Sequence, residues 1–399
     1  MRLAAALGRL LLVASTVSAC APAVPSIGLD GRAFAPDADE RGLWAQSERE
    51  AAAILERVRL DDDPALSAYL ARLGERLAPE ELRAAGAPAL RVAVIRDPTL
   101  GAFALPEGRL FVTTGLLAAV ESEAQLALLL AREIAHVAQR HALAVSRAAG
   151  VPSVAAGGVT PLGPTAMAIV RAGASLVSLA ARDGYGERRE READAFALDA
   201  LARGGWDAGA AIEVYVALAQ HAGERGTLET LTLGTPARLP MRRESLRELA
   251  SGRPAPPGLV GTTEEFEARR LDVSRDNAWL DLRAGRFALA RRQIDRVLAA
   301  APADARAHLQ DGDWHRLWAQ RVASPPERER ELAQALEAYT RALALDPVLV
   351  EVHRQLGLLY YQERNLPRAR SELQEYLRLA VAAPDAARIE EYVRELARR

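Results

Sequence analysis

The sequence predicts an α+β fold: a mostly helical unit with a small antiparallel sheet, followed by an all-α region of helical repeats. Residues 90–95 and 109–113 read as two β-strands with a turn signal between them. Apolar residues recur at helical spacing through much of the remaining chain. Towards the C-terminus, alanine- and leucine-rich helix ends are each followed by proline, which indicates a repeat.

Composition limits the function classes. The chain of 399 residues is long enough for two or three domains. Its formal net charge is −2, and all 51 basic residues are arginine. Because no excess of basic residues marks a phosphate-binding surface, we expect no nucleic-acid partner.

The N-terminus resembles a bacterial lipoprotein signal peptide. Residues 1–19 contain a short apolar run and end in small residues directly before Cys20, the single cysteine. The run is too short to span a bilayer, and Cys20 is expected to become the lipidated mature N-terminus. Residues 20–40 then form a tether, and Ala21 favours anchoring at the periplasmic face of the outer membrane. An ordinary cleaved secretory signal is the alternative.

Helices dominate the first unit. Helical periodicity runs through residues 42–85, and a long helix is predicted from about Ser122 to Ser146. Ser122 is suited to be its N-cap, with Gln125 at the capping-box position. Further along, the sequence predicts a flexible loop over 147–166, an apolar helix over 167–182, and helices over 187–203 and 207–222.

A segment rich in glycine and proline, residues 251–263, marks a domain boundary. The predicted order is a signal peptide over 1–19, a lipidated tether over 20–40, a first unit over 41–250, a linker over 251–275 and helical repeats over 276–399.

The repeats resemble tetratricopeptide units. Residues 342–347 match the end of such a unit, and Gly357 falls at a small packing position of the next one. The interval from Pro347 to Pro384 is close to the 34-residue period of these repeats. We expect two regular repeats, one repeat distorted by an insertion at 324–326, and a capping helix near 389–396. A plain helical bundle is the alternative.

The chemistry of the first unit centres on residues 132–136, which match the H-E-x-x-H pattern of zinc peptidases with Arg132 in place of the first histidine. A catalytic zinc usually has three protein ligands and one open position for water. His136 is the remaining helix ligand, and Glu133 is in the position of the general base. Glu190 on a later helix is the candidate third ligand, and Asp194 is suited to orient a ligand histidine.

These segments together resemble the HtpX-like zinc metallopeptidases, in particular their periplasmic BepA-type members. The resemblance rests on residues 102–106, 115–117, 133–141 and 190–194, in this order and spacing. It implies a mini-gluzincin metallopeptidase domain joined to C-terminal tetratricopeptide repeats. It also implies zinc as cofactor, with ligands at Arg132, His136 and Glu190 and with water activated by Glu133.

Several positions depart from the family pattern. Arg132 has no lone pair to offer a metal. Thr235 stands where the family commonly has a histidine that helps to regulate or complete the site, and Gly101 replaces a usual asparagine. His141 lies five residues after His136, about 140° around a continuous helix, so we expect it to point elsewhere. Zinc binding is therefore doubtful.

We expect the Arg132 guanidinium to take the place of the metal, between Glu133 and Glu190, because buried carboxylates without a cation are costly. The alternative is that Arg132 turns to solvent and pairs with a surface neighbour.

The sequence favours a non-catalytic relative of these peptidases. It is expected to bind unfolded or assembling envelope proteins in its cleft and on its repeats, as a binding or chaperone module in outer-membrane protein assembly or quality control. A lipid anchor is expected to hold it at the membrane. The main alternative is an active zinc metalloendopeptidase that degrades misfolded envelope proteins. A structural role in a larger complex is a third possibility.

Overall fold

A computed structural model describes residues 24–28, 34–149, 185–220, 238–253, 258–380 and 383–398. The predicted signal peptide, Cys20, Thr235, the predicted helix over 167–182 and most of the predicted loop over 147–166 lie outside the described residues. In the part that is described, no helix has both the length and the apolar character needed to cross a membrane.

The N-terminal unit begins with two helices and three short strands. They are α1 (Ala38–Leu55), α2 (Pro64–Leu77), β1 (Arg91–Ile95), β2 (Ala102–Ala104) and β3 (Arg109–Thr113). An aspartate caps each helix: Asp37 accepts a hydrogen bond from the Glu40 N–H, and Asp63 accepts one from the Ala65 N–H. These bonds satisfy N–H groups that have no partner within the helix.

The sheet is mixed, whereas the sequence predicted an antiparallel one. β3 lies in the centre, parallel to β1 and antiparallel to β2. Phe103 of β2 lies opposite Phe111 of β3. A strand of three residues is too short to show an alternating pattern, so β2 was not recognised as a separate strand. It forms the edge of the sheet that packs against the motif helix.

Three helices follow: α3 (Thr114–Ala119), α4 (Glu123–Ala138) and α5 (His141–Ala149). The predicted cap is present, because the Ser122 hydroxyl accepts a hydrogen bond from the Gln125 N–H. The prediction of one continuous helix from Ser122 to Ser146 is wrong, since the chain breaks at Arg140, which has a φ of 57°.

Tertiary contacts hold this break in place. The Arg140 guanidinium binds the buried carboxylate of Glu40, with Nε at 2.9 Å from Oε1. The Ala138 carbonyl, at the end of α4, accepts a hydrogen bond from the Ile27 N–H at 2.9 Å. Neither glycine nor proline marks the position, so no local signal could predict it.

The remaining helices of this unit are α6 (Glu187–Gly204), α7 (Ala208–Ile212), α8 (Val214–Gln220) and α9 (Leu239–Ser251). α6 agrees with its prediction and ends at Gly205, whose φ of 78° suits glycine. The single helix predicted over 207–222 is instead two, α7 and α8.

α4 lies at the centre of the main core. It packs against α2, α6 and β2. Leu126, Leu130 and Ile134 of α4 share one buried cluster with Leu70 of α2 and Leu201 of α6. At about 1.5–3 kcal/mol for each buried leucine or isoleucine side chain, this packing fixes the position of the motif helix.

The C-terminal part consists of paired helices. They are α10 (Glu264–Ala284), α11 (Phe287–Ala300), α12 (Ala305–Trp318), α13 (Pro325–Leu345), α14 (Glu351–Gln362), α15 (Leu366–Leu379) and α16 (Ala386–Arg398). Each of the first three pairs packs closely, and α16 covers α15. The region predicted as a distorted repeat contains a longer helix, since α13 has 21 residues where α11 and α15 have 14.

Small residues lie where paired helices approach most closely. A Cβ added at Gly312 would meet Tyr339 at 2.4 Å, and one at Gly357 would meet Leu373 at 2.6 Å. Ala278 of α10 is fully buried and precedes Gly312 by 34 residues, the period of tetratricopeptide units. α10 and α11 therefore form the first repeat.

α10 also belongs to the N-terminal unit. Phe266 and Val273 are buried in that unit's core. The Thr114 hydroxyl donates a hydrogen bond to Asn277 Oδ1 at 2.9 Å, and both residues are buried. Regular structure thus begins at Glu264, within the predicted linker over 251–275, because this charged helix buries a few apolar residues against α3.

The described part of the predicted tether is docked on the N-terminal unit. Ile27 is 6% exposed and belongs to the main core. The Pro25 carbonyl accepts a hydrogen bond from Arg140 at 3.2 Å. α1 begins at Ala38, so that residues 38–40 of the predicted tether belong to a helix.

Candidate functional site

Two packed helices bring the motif residues together. α4 carries Arg132, Glu133 and His136, and α6 carries Glu190 and Asp194. Because Glu190 and Asp194 are four residues apart, they share one face of α6. All five residues that the sequence placed in the candidate site therefore converge.

Arg132 lies inside the site and is only 3% exposed. Its Nε donates to Asp194 Oδ1 at 2.6 Å, and its Nη2 donates to Glu190 Oε2 at 2.7 Å. The planar guanidinium suits two carboxylates arranged in this way. The expected pairing with Glu190 is present, but the second partner is Asp194 rather than Glu133. The solvent-facing alternative does not agree with the structure.

A second guanidinium, which the sequence analysis missed, enters the same site. Arg242 of α9 donates from Nη2 to Glu190 Oε2, and its Nε lies 4.0 Å from Asp194 Oδ1. α9 is separated from α6 by two helices and an undescribed segment. Its sequence contains several arginines, so nothing in the sequence singled out this one.

Glu133 faces the sheet. Its Oε2 accepts a hydrogen bond from the Ala104 N–H of edge strand β2 at 3.1 Å. Burial raises the pKa of the Glu133 carboxyl to about 7, although the nearby charge of Arg132 opposes this shift. When Glu133 is protonated, the two guanidiniums of Arg132 and Arg242 balance the two carboxylates of Glu190 and Asp194.

His136 and His141 are in contact, which contradicts the expectation that His141 points elsewhere. Their Nδ1 atoms are 2.8 Å apart. That expectation assumed a continuous helix, but the break at Arg140 turns α5 back towards the site. Burial lowers the pKa of His136 well below its ordinary value and that of His141 to about 4, so both rings are neutral at pH 7.

The carboxylate of Glu190 is held at both oxygens. Oε2 accepts from Arg132 and Arg242, whereas Oε1 accepts from the Tyr185 N–H at 3.2 Å and lies 3.9 Å from His136 Nε2. Burial is the largest single influence and favours the neutral form of this carboxyl, but the charges of Arg132 and Arg242 and the other neighbouring groups together outweigh it and lower the Glu190 pKa. Glu190 is therefore ionised and already paired.

The residues at this site do not fit a three-ligand zinc. The position of the first ligand is filled by a cation without lone pairs, and that cation binds the candidate third ligand directly. Across the ranges that the structure describes, no group of three or more histidine, cysteine, aspartate or glutamate side chains is arranged to hold a metal ion. What the arrangement provides instead is a buried ionic network that joins α4, α6 and α9.

Comparisons with known proteins agree with this architecture. The model of the family "Peptidase family M48" matches residues 64–262, and a TPR repeat model matches residues 331–363. A beta-barrel assembly-enhancing protease of Vibrio cholerae serotype O1 is 30% identical over 171 residues, which are 40% of this chain and 34% of that protein. The mitochondrial metalloendopeptidase OMA1 of Schizosaccharomyces pombe is 52% identical over 48 residues, 12% of this chain and 14% of that protein.

The chain thus spans about a third of the length of the Vibrio relative and a smaller share of the yeast one. Among solved structures, MamA 41-end from Desulfovibrio magneticus RS-1 covers 53% of this chain and 94% of its own, at 18% identity and a TM-score of 0.24. A TM-score this low supports no structural argument. The matched domain models and the helix order together show that the chain belongs to peptidase family M48 and carries a C-terminal tetratricopeptide repeat.

Proposed function

We propose that this protein is a lipid-anchored M48 relative of the bacterial envelope that has lost zinc and peptidase activity. In this proposal it binds unfolded or assembling envelope proteins and assists outer-membrane protein assembly or quality control. The observation that carries the proposal is the pair of hydrogen bonds from Arg132 to Glu190 and Asp194 at the position of the missing ligand.

The energetics of this ion pair support the loss of zinc. A zinc ion would have to displace a buried guanidinium that two carboxylates hold. Breaking a buried ion pair by removing one partner costs about 3–5 kcal/mol, because a charge is left uncompensated. His136 and Glu190 would then be the two remaining ligands, one fewer than a catalytic zinc usually has.

Two features support a role in binding proteins. Paired helices of the tetratricopeptide type build extended surfaces that accept peptides or partner proteins. The Vibrio relative is named for enhancing β-barrel assembly. The cleft beside β2 and the repeats are the two surfaces that we propose for unfolded envelope proteins.

The proposed location rests on the sequence around Cys20 and on the name of the Vibrio relative. Lipidation of Cys20 would attach the chain to the membrane without a spanning helix. Mass spectrometry of the mature N-terminus tests this directly: a lipid-modified Cys20 peptide is expected, and an unmodified N-terminus generated by signal cleavage would contradict it.

An active zinc metalloendopeptidase is the second candidate function. Glu133, His136 and Glu190 all remain at one site, which is the observation in its favour. Activity of this kind requires zinc to enter despite Arg132.

Aggregation and cleavage assays separate the two functions. The purified natural protein, loaded with zinc and dialysed, is incubated with a urea-unfolded β-barrel protein. We expect less light scattering on dilution of the urea and an intact substrate on gels. Cleavage that a chelator abolishes would overturn the proposal in favour of the active peptidase.

A further inference from the structure

We propose that residues 24–28 fasten the lipid anchor directly to the folded N-terminal unit and hold one surface of that unit against the headgroups of the lipid bilayer. This surface, the anchor face, is formed by residues 24–28, the start of α1, and α5. The inference deepens the proposed function and rests on its claim that Cys20 is lipidated.

The docked segment contacts both apolar clusters of the N-terminal unit. Ile27 is buried in the main core, and Val24 packs against a second cluster that contains Leu43 of α1 and Leu143 of α5. The Ile27 N–H also donates to the Ala138 carbonyl at 2.9 Å. Because burying an isoleucine side chain contributes about 1.5–3 kcal/mol, the docked conformation of this segment is favoured.

Contacts on either side of Ile27 fix the path of the segment. The Pro25 carbonyl accepts a hydrogen bond from Arg140 at 3.2 Å. Gly28 has a φ of 76° and lies so close to Glu81 that a Cβ would overlap the glutamate side chain. The segment is therefore fitted to the folded unit along its whole length.

The short distance along the chain then decides which surface meets the membrane. Cys20 precedes Val24 by four residues, and four residues span at most about 14 Å in any conformation. Because the lipid on Cys20 lies in the bilayer, Val24 is held within roughly 15 Å of the headgroups. A free linker of about 20 residues, by contrast, has a mean reach of about 25 Å and would let the unit turn.

The side chains of the anchor face suit the headgroup region. Phe34 and Trp44 are half-buried, with ring centroids 6.0 Å apart, and the Arg140 guanidinium lies over Phe34. Indole rings, which combine an apolar body with a polar N–H, are enriched at membrane–water interfaces. Arg140 and Arg147 are already paired with carboxylates at the start of α1. We therefore expect the lipid and the aromatic side chains, rather than attraction to anionic lipids, to hold this face.

This orientation brings the candidate site close to the membrane. Ala138, which accepts the hydrogen bond from Ile27, follows His136 by two residues. Ile27 itself follows Cys20 by seven residues, which span at most about 25 Å. The cleft that we propose for unfolded envelope proteins is thus expected to lie near the bilayer surface.

The test measures how close α1 lies to the bilayer. Full-length protein, expressed with its signal peptide, is reconstituted into vesicles of phosphatidylethanolamine and phosphatidylglycerol that carry an acceptor dye on their headgroups. Cys20 is the single cysteine and its sulfur would carry the lipid, so Ala45→Cys, at an exposed position of α1, takes the donor dye. Energy transfer between the dyes reports the distance.

Three changes are compared in this labelled protein. One inserts a Gly/Ser linker of about 20 residues directly before Val24, and Ile27→Asp releases the docked segment. Val348→Asp is the matched control, since Val348 is 79% exposed on the repeats. We expect the linker to lower the transfer about two-fold or more, Ile27→Asp to lower it as well, and Val348→Asp to leave it unchanged. Thermal unfolding confirms folding, and the linker alone decides if Ile27→Asp does not fold.

Equal transfer with and without the linker, in protein that floats with the vesicles, would overturn the inference and leave the proposed function intact. An equal loss of transfer in Ile27→Asp and Val348→Asp would overturn it too. Protein that does not float with the vesicles because Cys20 carries no lipid is a separate result, which overturns the proposed anchoring and this inference together.

Discussion

At the scale of single residues, the contacts of the Arg132 guanidinium decide whether a metal can bind at the site. Arg132 replaces a neutral ligand with a fixed positive charge and binds two carboxylates that belong to another helix. With a histidine at position 132 a metal could bind here, whereas with Arg132 the two carboxylates are already paired. The motif allowed the sequence to predict which residues meet here.

The first prediction is that Arg132→Ala destabilises the fold by about 3 kcal/mol, because it leaves Glu190 and Asp194 buried without their main cation. Urea unfolding measures the change. Arg188→Ala is the control: the Arg188 side chain is 79% exposed and pairs with Glu192 on the surface, so we expect a change within about 0.5 kcal/mol. Equal effects of the two substitutions would show that the Arg132 ion pairs do not stabilise the fold.

The second prediction concerns Glu133, whose pKa is about 7 in the folded protein against an ordinary 4.5. The folded state binds more protons than the unfolded chain between these values, so stability falls as the pH rises through this window. Glu133→Gln keeps an acceptor for the Ala104 N–H but does not titrate. Its stability relative to the natural protein should therefore rise between pH 4.5 and pH 8, by up to about 3 kcal/mol. A difference that is constant with pH would contradict this.

At the scale of elements, a feature could be predicted from the sequence when local residues decide its conformation, and could not when tertiary contacts decide it. The cap at Ser122 and the end of α6 at Gly205 are local features, and both were predictable from the sequence. The break at Arg140 and the short strand β2 depend on contacts with distant residues, so periodicity could not reveal them. For the same reason, no pattern in the sequence indicated that His141 reaches His136, or that Arg242 reaches Glu190.

The third prediction tests the close packing within the repeats. Gly312→Ala should destabilise the protein by about 1–3 kcal/mol, because the new methyl group would overlap Tyr339. Gly42→Ala on α1 is the matched control, since no atom lies within 4 Å of its Cβ position. Alanine there should stabilise the helix by up to about 1 kcal/mol. Thermal unfolding compares them, and effects of the same sign would contradict the repeat packing.

At the scale of the whole molecule, α10 joins the two units. It is the first helix of the repeats and also contributes Phe266 and Val273 to the core of the peptidase-like unit. Arg296 of α11 adds a hydrogen bond to the Ala118 carbonyl at 2.6 Å. The sequence predicted both units but also a linker between them. The reason is that α10 contains many charged residues, so its few buried residues form no clear apolar pattern.

The fourth prediction follows from this shared helix. Thr114→Val leaves the buried Asn277 side chain without one partner, at a cost of about 1–3 kcal/mol. Because α10 belongs to both units, we expect a single unfolding transition that shifts as a whole. Fluorescence of tryptophans in both units, Trp206 and Trp314 among them, follows the transition. Two transitions, of which only one shifts, would show that the units unfold independently.

The central claim is that Arg132 excludes zinc from an otherwise assembled M48 site. The most direct test is the metal content of the purified natural protein and of Arg132→His, each loaded with zinc and then dialysed. We expect no bound zinc in the natural protein and about one zinc per chain in the variant. One zinc per chain in the natural protein would contradict it and make the active peptidase the better explanation.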